Sequence, residues 1–276
     1  MYLYIIYVVI AIIIEISIFS KLKVRNYEIF TSKINDDIKI VQISDLHSCY
    51  YGIKQSYLID KIKKEKPDII VYTGDIIDDR WNYEAAINLF KETQFIAPCF
   101  YVIGNHEYRH TDVEELIKII NENNITILNQ TKKEVNIKNS KINIYGLDDP
   151  LKNKDEKYPT KILKEHPYLN ELKPVNEDLF NILLTHRPEM FEHYASKNFD
   201  LIIAGHAHGG QVRIPLILKN GLFAPNQGLF PKYTGGIYKY DKSTMVVSTG
   251  LAIYENVPRI FNRPELVVIK LKKANK

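Results

Sequence analysis

The sequence predicts an α/β domain on a largely parallel sheet, preceded by one N-terminal transmembrane helix. Three observations lead there. From Lys39 onward, short β-branched runs alternate with helical patterns, as in strands joined by crossover helices. Aspartate, asparagine and histidine recur directly after those runs, where open parallel sheets collect their ligands. Met1 to Ser20, MYLYIIYVVIAIIIEISIFS, carries a single ionisable side chain, Glu15.

Twenty residues as a helix span ~30 Å, the thickness of a bilayer hydrocarbon core. The apolar residues cover every face, which argues against an interfacial helix. Glu15 lies toward one end, where a charge costs less than at the midplane. A cleaved signal peptide and a buried soluble helix are the rival readings. The first lacks a positive n-region and an A-x-A-like site. Lys21, Lys23 and Arg25 follow the segment and no Lys or Arg precedes it, so the expectation is a single-pass cell-membrane protein with a cytoplasmic C-terminal domain.

Residues 21–38 read as a juxtamembrane linker and first strand, and 39–272 as one domain of about 235 residues. IKIVQIS (38–44) is a strand entering DLH, followed by a helix at 54–65. DIIVY (68–72) enters TGD, and a second helix is expected at 82–92. PCFYVI (98–103) enters GNHE, and a third helix at 112–122 is expected to take Thr111 as its N-cap, before ITIL (125–128). VNI (135–137) and KINIYGL (141–147), split by KNS, form a hairpin. Residues 148–176, charged and proline-containing, suit a surface excursion. NILLT (181–185) and FDLIIA (199–204) each end at a histidine, and TMVVST (244–249) and ELVVIKL (265–271) close the series.

Composition excludes several classes. With 45 % apolar and 25 % charged residues the chain is globular, not disordered or low-complexity. Cys49 and Cys99 are too few for a disulfide framework or a four-sulfur zinc site, and both read as core fillers. A net charge of +4 does not argue for nucleic acid.

The metal-capable residues are Asp45 and His47, Asp75, Asn105 and His106, His186, and His206 and His208. They follow five separate strands and reach one sheet edge. In D-x-H and G-H-x-H, side chains two apart beyond a strand point the same way and can share one ion. Gly74, Gly104 and Gly205 permit tight turns and close backbone approach beside the donors. One D-x-H has little specificity; the ordered combination has much.

On those blocks, SDLH (44–47), TGDIID (73–78), GNHE (104–107), THRP (185–188) and GHAHGGQ (205–211), the chain resembles the calcineurin-like metallophosphoesterases. The stretch Gly209 to Val212 with Arg213 and Pro215, and the segment Asn262 to Glu265, look most like the membrane-associated bacterial phosphoesterases. The resemblance implies a four-layer α/β/β/α sandwich of two mixed sheets with a dinuclear metal centre at the strand ends. It implies Asp45, His47 and His208 as ligands of one ion, Asn105, His186 and His206 as ligands of the other, and Asp75 as the bridging carboxylate. His106 becomes the catalytic, non-ligand histidine facing the scissile phosphate. Glu107 stands where many relatives have Asp, at a position that is not a direct ligand.

Imidazole, carboxylate and amide donors suit Mn²⁺, Fe or Zn²⁺ better than Mg²⁺ or Ca²⁺, and two ions, most readily Mn²⁺, are expected. Such a pair generates a bridging hydroxide near neutral pH for direct in-line attack, with His106 assisting the leaving group. The expected substrate is a small-molecule or lipid-linked phosphodiester or pyrophosphate. A phosphomonoesterase, a nuclease with the same centre, and an inactive metal-binding membrane scaffold are the alternatives. Tyr108, Arg109 and Arg187 are candidate substrate contacts. Asp78 and Asp79 read as surface charge or as groups that orient ligands, and Arg259 and Arg263 as phosphate contacts or as partners of acidic neighbours. The tract Gly209 to Tyr240, rich in Gly, Pro and aromatics, reads as an ordered loop region shaping the pocket.

Overall fold

The computed structural model describes residues 20–152, 166–172, 176–253 and 257–274, together with positions 4, 6, 7, 15, 17 and 18. The segment expected to cross the membrane therefore lies largely outside the described residues, and among those described no helix is long and apolar enough to do so.

The central strands are apolar, largely β-branched runs buried on both faces, which is why they read as continuous apolar stretches, while the edge strands are partly exposed. The first sheet contains β1 (Lys23–Thr31), β2 (Ile38–Ile43), β3 (Ile69–Tyr72), β4 (Cys99–Tyr101), β5 (Ile125–Ile127) and β14 (Glu265–Lys273), in the order β1-β14-β2-β3-β4-β5. The second contains β6 (Lys132–Ile137), β7 (Ser140–Leu147), β8 (Phe180–Thr185), β9 (Leu201–Ala204), β12 (Gly236–Tyr240) and β13 (Ser243–Val247), in the order β12-β13-β9-β8-β7-β6. Two short strands, β10 (Phe223–Ala224) and β11 (Gly228–Leu229), form a separate hairpin. Both large sheets are mixed: β2 to β5 run parallel with β14 antiparallel to β2, and β7, β8, β9 and β13 run parallel with β6 and β12 antiparallel at the two edges.

Side-chain alternation assigns the layers. On β3, Ile69 and Val71 enter the core between the sheets, where they meet Ile182, Leu184 and Ile203 of the second sheet. Ile70 and Tyr72 point the other way, into a core closed by α1 (Ser56–Glu65), α2 (Glu84–Thr93) and α4 (Val113–Glu122) through Leu58, Ile62, Leu89, Phe90, Leu116 and Ile120. The outer face of the second sheet is covered by α5 (Phe191–Ala195) and the turn at 169–172. Helices, two mixed sheets and a thinner helical cover make the expected layered order.

Three local expectations change. The third helix is capped by Asp112, whose carboxylate accepts the Glu115 N–H at 2.9 Å, and not by Thr111 one residue earlier. GNHE does not simply leave its strand: Asn105–Arg109 forms a one-turn helix, α3. Within 148–176, Asp148 and Asp149 are buried and not part of a surface excursion, while 153–165 and 173–175 lie outside the described residues.

The sheets meet at the end that carries the donors. Gln42 on β2 faces the second sheet, and its Nε2 donates to Thr73 Oγ1 (2.9 Å) and to the carbonyl of Ala204 (2.8 Å). One buried amide thus ties the ends of β2, β3 and β9 directly beneath the site.

Candidate metal centre

Five turns at the carboxyl ends of β2, β3, β4, β8 and β9 converge here. Asp45, His47, Asp75, His206 and His208 all adopt positive φ, between 46° and 66°. Non-glycine residues in the left-handed region carry strain, retained where the surroundings over-determine the backbone. The surroundings do so. The N–H of Asp45 bonds to the Gly74 carbonyl (3.1 Å), that of His47 to the Asp75 carbonyl (3.0 Å), and that of His206 to both Asp45 carboxylate oxygens (2.9 and 3.1 Å). Gly205 is needed for close approach: a Cβ there would stand 2.0 Å from Ser44 Oγ and 2.4 Å from Asp45 Oδ2.

Three donor clusters result: one joins His47, Asp78 and His106, and the other two are made of expected ligands. Asp45, His47 and His208 offer atoms within 4.8 Å of one another, and so do Asp75, His186 and His206. All six are buried. Asp75 lies between them, its Oδ2 3.1 Å from His186 Nε2 and 3.7 Å from His47 Nε2. The amide of Asn105 completes the second cluster, 3.2 Å from His186 Nε2.

The outer hydrogen bonds aim the imidazole lone pairs inward, since carboxylate and carbonyl oxygens only accept. His47 donates from Nδ1 to Asp78 (2.8 Å) and His186 from Nδ1 to the Thr73 carbonyl (2.7 Å). His206 donates from Nε2 to Asn226 Oδ1 (2.8 Å), which turns its Nδ1 toward His186 Nε2 at 3.1 Å. Such partners fix ring orientation and raise ligand basicity. The donor set fits a pair of divalent ions: nitrogen and oxygen donors, buried, pre-aimed and already in close groups.

With no metal present, the buried Asp75 carboxylate draws its compensating positive charge from the neighbouring imidazoles. Burial opposes charge on His186, but the Asp75 carboxylate outweighs it and pushes its pKa up to about 10; Asp75 is held well below the usual carboxylate range by His186, His106 and His47 despite its burial. Burial, with Arg187 and His186 nearby, drives His206 well below the ordinary imidazole value.

His106 is partly exposed at the mouth. Its N–H donates to Asp75 Oδ1 (2.8 Å), its Nδ1 contacts Asp79 Oδ1 (2.5 Å), and Arg109 lies 3.4 Å from its Nε2. Asp78 and Asp79 are thus positioning groups for His47 and His106, and Asp78 is fully buried. Of the candidate substrate contacts, Arg109 stays exposed beside His106. Arg187 is buried and committed to Asp149 through two bonds (2.6 and 3.0 Å), and Tyr108 is buried facing Asp148. Both supply structure behind the donors and are not at hand for a phosphate. Arg259 and Arg263 bond to the carbonyls of Ala252 (2.7 Å) and Lys21 (2.8 Å), and Cys49 and Cys99 sit in the core.

Two features escaped the sequence reading. Asn226 comes from the 209–236 excursion and reaches back to His206. Asn262, in the terminal segment, donates to the carbonyls of His208 (2.7 Å) and Gln211 (3.0 Å) and so closes the G-H-x-H turn; a Cβ at Gly209 would strike it.

Two mixed sheets presenting Asp/His clusters from their strand ends define a metallohydrolase-type scaffold. The calcineurin-like phosphoesterase profile matches residues 38–210, and the chain belongs to that family, that of metal-dependent phosphoester hydrolases. It is 31 % identical over 258 residues to an uncharacterized metallophosphoesterase of Campylobacter jejuni, covering 91 % of this chain and 63 % of that protein. This chain thus spans less than two thirds of that relative's length. It is 30 % identical to the uncharacterized metallophosphoesterase YkuE of Bacillus subtilis (87 % and 81 % covered) and 25 % identical to the phosphodiesterase YaeI of Escherichia coli (84 % and 82 %). Among solved structures, the Plasmodium protein described as GAP50, the anchor in the inner membrane complex, shares the fold at a TM-score of 0.50 and 13 % identity, over 86 % of this chain and 82 % of that one.

Proposed function

We propose that this chain is a binuclear phosphoesterase that hydrolyses a phosphodiester or pyrophosphate bond at a membrane surface. The observation that carries the reading is Asp75 Oδ2, which faces His186 on one side and His47 on the other, so one carboxylate oxygen stands between two donor clusters. Asp45, His47 and His208 would hold one ion, Asn105, His186 and His206 the second, and Asp75 both. Two divalent ions, Mn²⁺ foremost, would supply Lewis acidity toward phosphoryl oxygens and a lowered pKa for water.

The chain's own groups do the rest. His106 is held by Asp75 and Asp79 with Nε2 beside the exposed Arg109; as the imidazolium, with Nδ1–H on Asp79, it can give its Nε2 proton to the departing oxygen and return to neutral imidazole. Arg109 beside it adds positive charge for an anionic substrate. No serine or cysteine nucleophile enters the reading, so hydrolysis proceeds without a phosphoenzyme.

The test is turnover of bis(p-nitrophenyl) phosphate and p-nitrophenyl phosphate by the full chain, stripped with chelator and reloaded with Mn²⁺, with Asp75→Ala as the blank. Metal-dependent cleavage favouring the diester supports the reading. Two bound metals and near-normal turnover in Asp75→Ala overturn the shared-ligand role.

The membrane part is supported by the apolar run Met1–Ser20 and by an apolar rim: Leu216 and Ile217 are 87 % and 82 % exposed on the same excursion that delivers Asn226, as are Leu229 and Phe230. Lys21, Lys23 and Arg25 would place the domain on the cytoplasmic face and draw it to anionic lipid, favouring a lipid-linked substrate. Extraction of the full chain into the supernatant by alkaline carbonate would remove the anchor, and digestion of the domain in sealed right-side-out cells would reverse the topology.

A further inference from the structure

We infer that the cavity walled by Trp81 and Tyr50 beside His47 is the subsite for a flat, uncharged ring on one ester arm of the substrate. This rests on the phosphoesterase reading above and narrows its substrate class.

The cavity has a volume of about 380 Å³ and is lined by His47, Ser48, Cys49, Tyr50, Trp81 and Asn82. Ligand pockets run from ~300 to ~1,000 Å³, so its size suits one ring system. His47 is both a wall of the cavity and a member of the first donor cluster, which places the two spaces side by side. Trp81 is 61 % exposed and Tyr50 48 % exposed, an unusual amount of aromatic surface to leave in water at the edge of a polar centre.

Among the described residues, no aromatic ring or cation is stacked on the face of either ring. The Tyr50 hydroxyl donates to Glu84 (3.1 Å), and the backbone N–H of Trp81 donates to the carbonyl of Asp78 (3.4 Å), which fixes the backbone that carries the indole. The turn 78–81 therefore positions His47 through Asp78 and His106 through Asp79, and it sets the backbone from which Trp81 projects. A substrate arm resting on Trp81 would be registered against the same two histidines that flank the phosphate.

Charge selects the kind of arm. None of the six lining side chains is a lysine or arginine, and the neighbouring Arg80 is bonded through Nε and Nη2 to the two oxygens of Asp78, each at 2.9 Å. A second phosphate would find no cation on this wall, whereas an aromatic face finds two. A diester with an aryl or heteroaryl arm is therefore favoured over a pyrophosphate arm on this side.

Trp81 is the only tryptophan in the chain, so its emission reports on the cavity directly. The full-length protein, loaded with Zn²⁺ to avoid paramagnetic quenching, is titrated with diphenyl phosphate and with dimethyl phosphate. Diphenyl phosphate is expected to change the emission at concentrations about tenfold lower. In turnover, Trp81→Ala should raise KM for bis(p-nitrophenyl) phosphate about tenfold and leave kcat within twofold, and Trp81→Phe should recover most of the loss. Equal titrations, or an unchanged KM in Trp81→Ala while the native chain turns over, overturn the subsite. No turnover of any phosphoester by a two-metal native protein that still binds diphenyl phosphate preferentially overturns the phosphoesterase reading instead and leaves the ring subsite standing.

Discussion

Nδ1 of His47 lies 2.8 Å from Oδ2 of the buried Asp78, whose carboxylate also accepts the guanidinium and the backbone N–H of Arg80, while the Asp78 backbone N–H donates to the Ser48 hydroxyl. Burial raises the Asp78 pKa, but Arg80 and His47 outweigh it and hold the carboxyl well below its usual range. Asp78 therefore stays a carboxylate, accepts the Nδ1 proton of His47 and leaves Nε2 turned inward. Asp78→Ala is expected to weaken metal binding ~10–100-fold, the usual effect of losing a ligand's outer partner. Isothermal titration of the chelated protein with Mn²⁺ measures this; unchanged affinity at both sites would show that Asp78 does not orient His47.

Glu107 does different work from its neighbours. Its Oε2 accepts the N–H groups of Asp75 and Gly104 (both 2.9 Å), and its Oε1 accepts those of Ile76 (2.7 Å) and Ile77 (3.1 Å) and the hydroxyl of Tyr101 (2.6 Å). The carboxylate thus organises the turn that presents Asp75. Glu107→Gln replaces one acceptor oxygen by a donor and leaves two or three buried donors unsatisfied, at ~1–3 kcal/mol each. Urea unfolding of the chelated protein should show a loss of about 3 kcal/mol. A loss below about 1 kcal/mol would mean the turn repairs itself.

The contrast between Asp75 and Asp78 shows what the sequence makes legible. Asp75 follows a β-branched run and a glycine, and a strand end is a local signal that places it on the ligand edge. Asp78 and Asp79 follow a few residues later in a stretch that reads as turn, where charge ordinarily meets solvent; only the packing of β2 against β3 shows that Asp78 points back at His47. Arg187 misleads for the same reason: adjacency to His186 suggests a phosphate contact, while its partner Asp149 comes from another strand end. Asn226 and Asn262 bond to residues 20 and 54 positions away through loops with no periodic pattern, so nothing local announces them. The pairing of β1 with β14, first strand beside last, is likewise a property of the closed sheet and not of either segment.

His106 should separate chemistry from metal binding. It contacts Asp75 only through its backbone N–H, so removing the ring leaves that bond in place. His106→Ala is expected to keep both metals and to lower kcat ~10²–10⁴-fold. Asp79→Asn should act in the same direction more weakly, because the imidazole loses a charged partner but stays in position. The deficit should shrink for esters with good leaving groups, which need little protonation. Metal analysis alongside a leaving-group series decides it: loss of metal in His106→Ala would make it a ligand, and a deficit independent of the leaving group would remove the acid role.

His166 gives the fold a pH dependence remote from this chemistry. The ring is buried, accepts the Tyr168 N–H at Nδ1 (3.3 Å), and is kept neutral first by burial and then by the nearby Arg187 and His193, against the pull of Asp149; its pKa falls to about 3. In the unfolded chain an imidazole titrates near 6.5. Between those values the unfolded state binds a proton that the folded state refuses, so stability is full above pH ~6.5 and declines as pH falls toward ~3. At pH 5 the decline amounts to about 2 kcal/mol, from ~1.5 pH units at ~1.36 kcal/mol each. His166→Asn places an amide oxygen where Nδ1 accepts and removes the titration. Urea unfolding at pH 7, 6 and 5, with chelator present so that metal linkage does not contribute, should show a shallower fall for the variant, the two curves converging as pH drops. Parallel curves over that range would mean His166 takes up its proton in the folded state, and that the space around Nε2 admits a partner for the imidazolium.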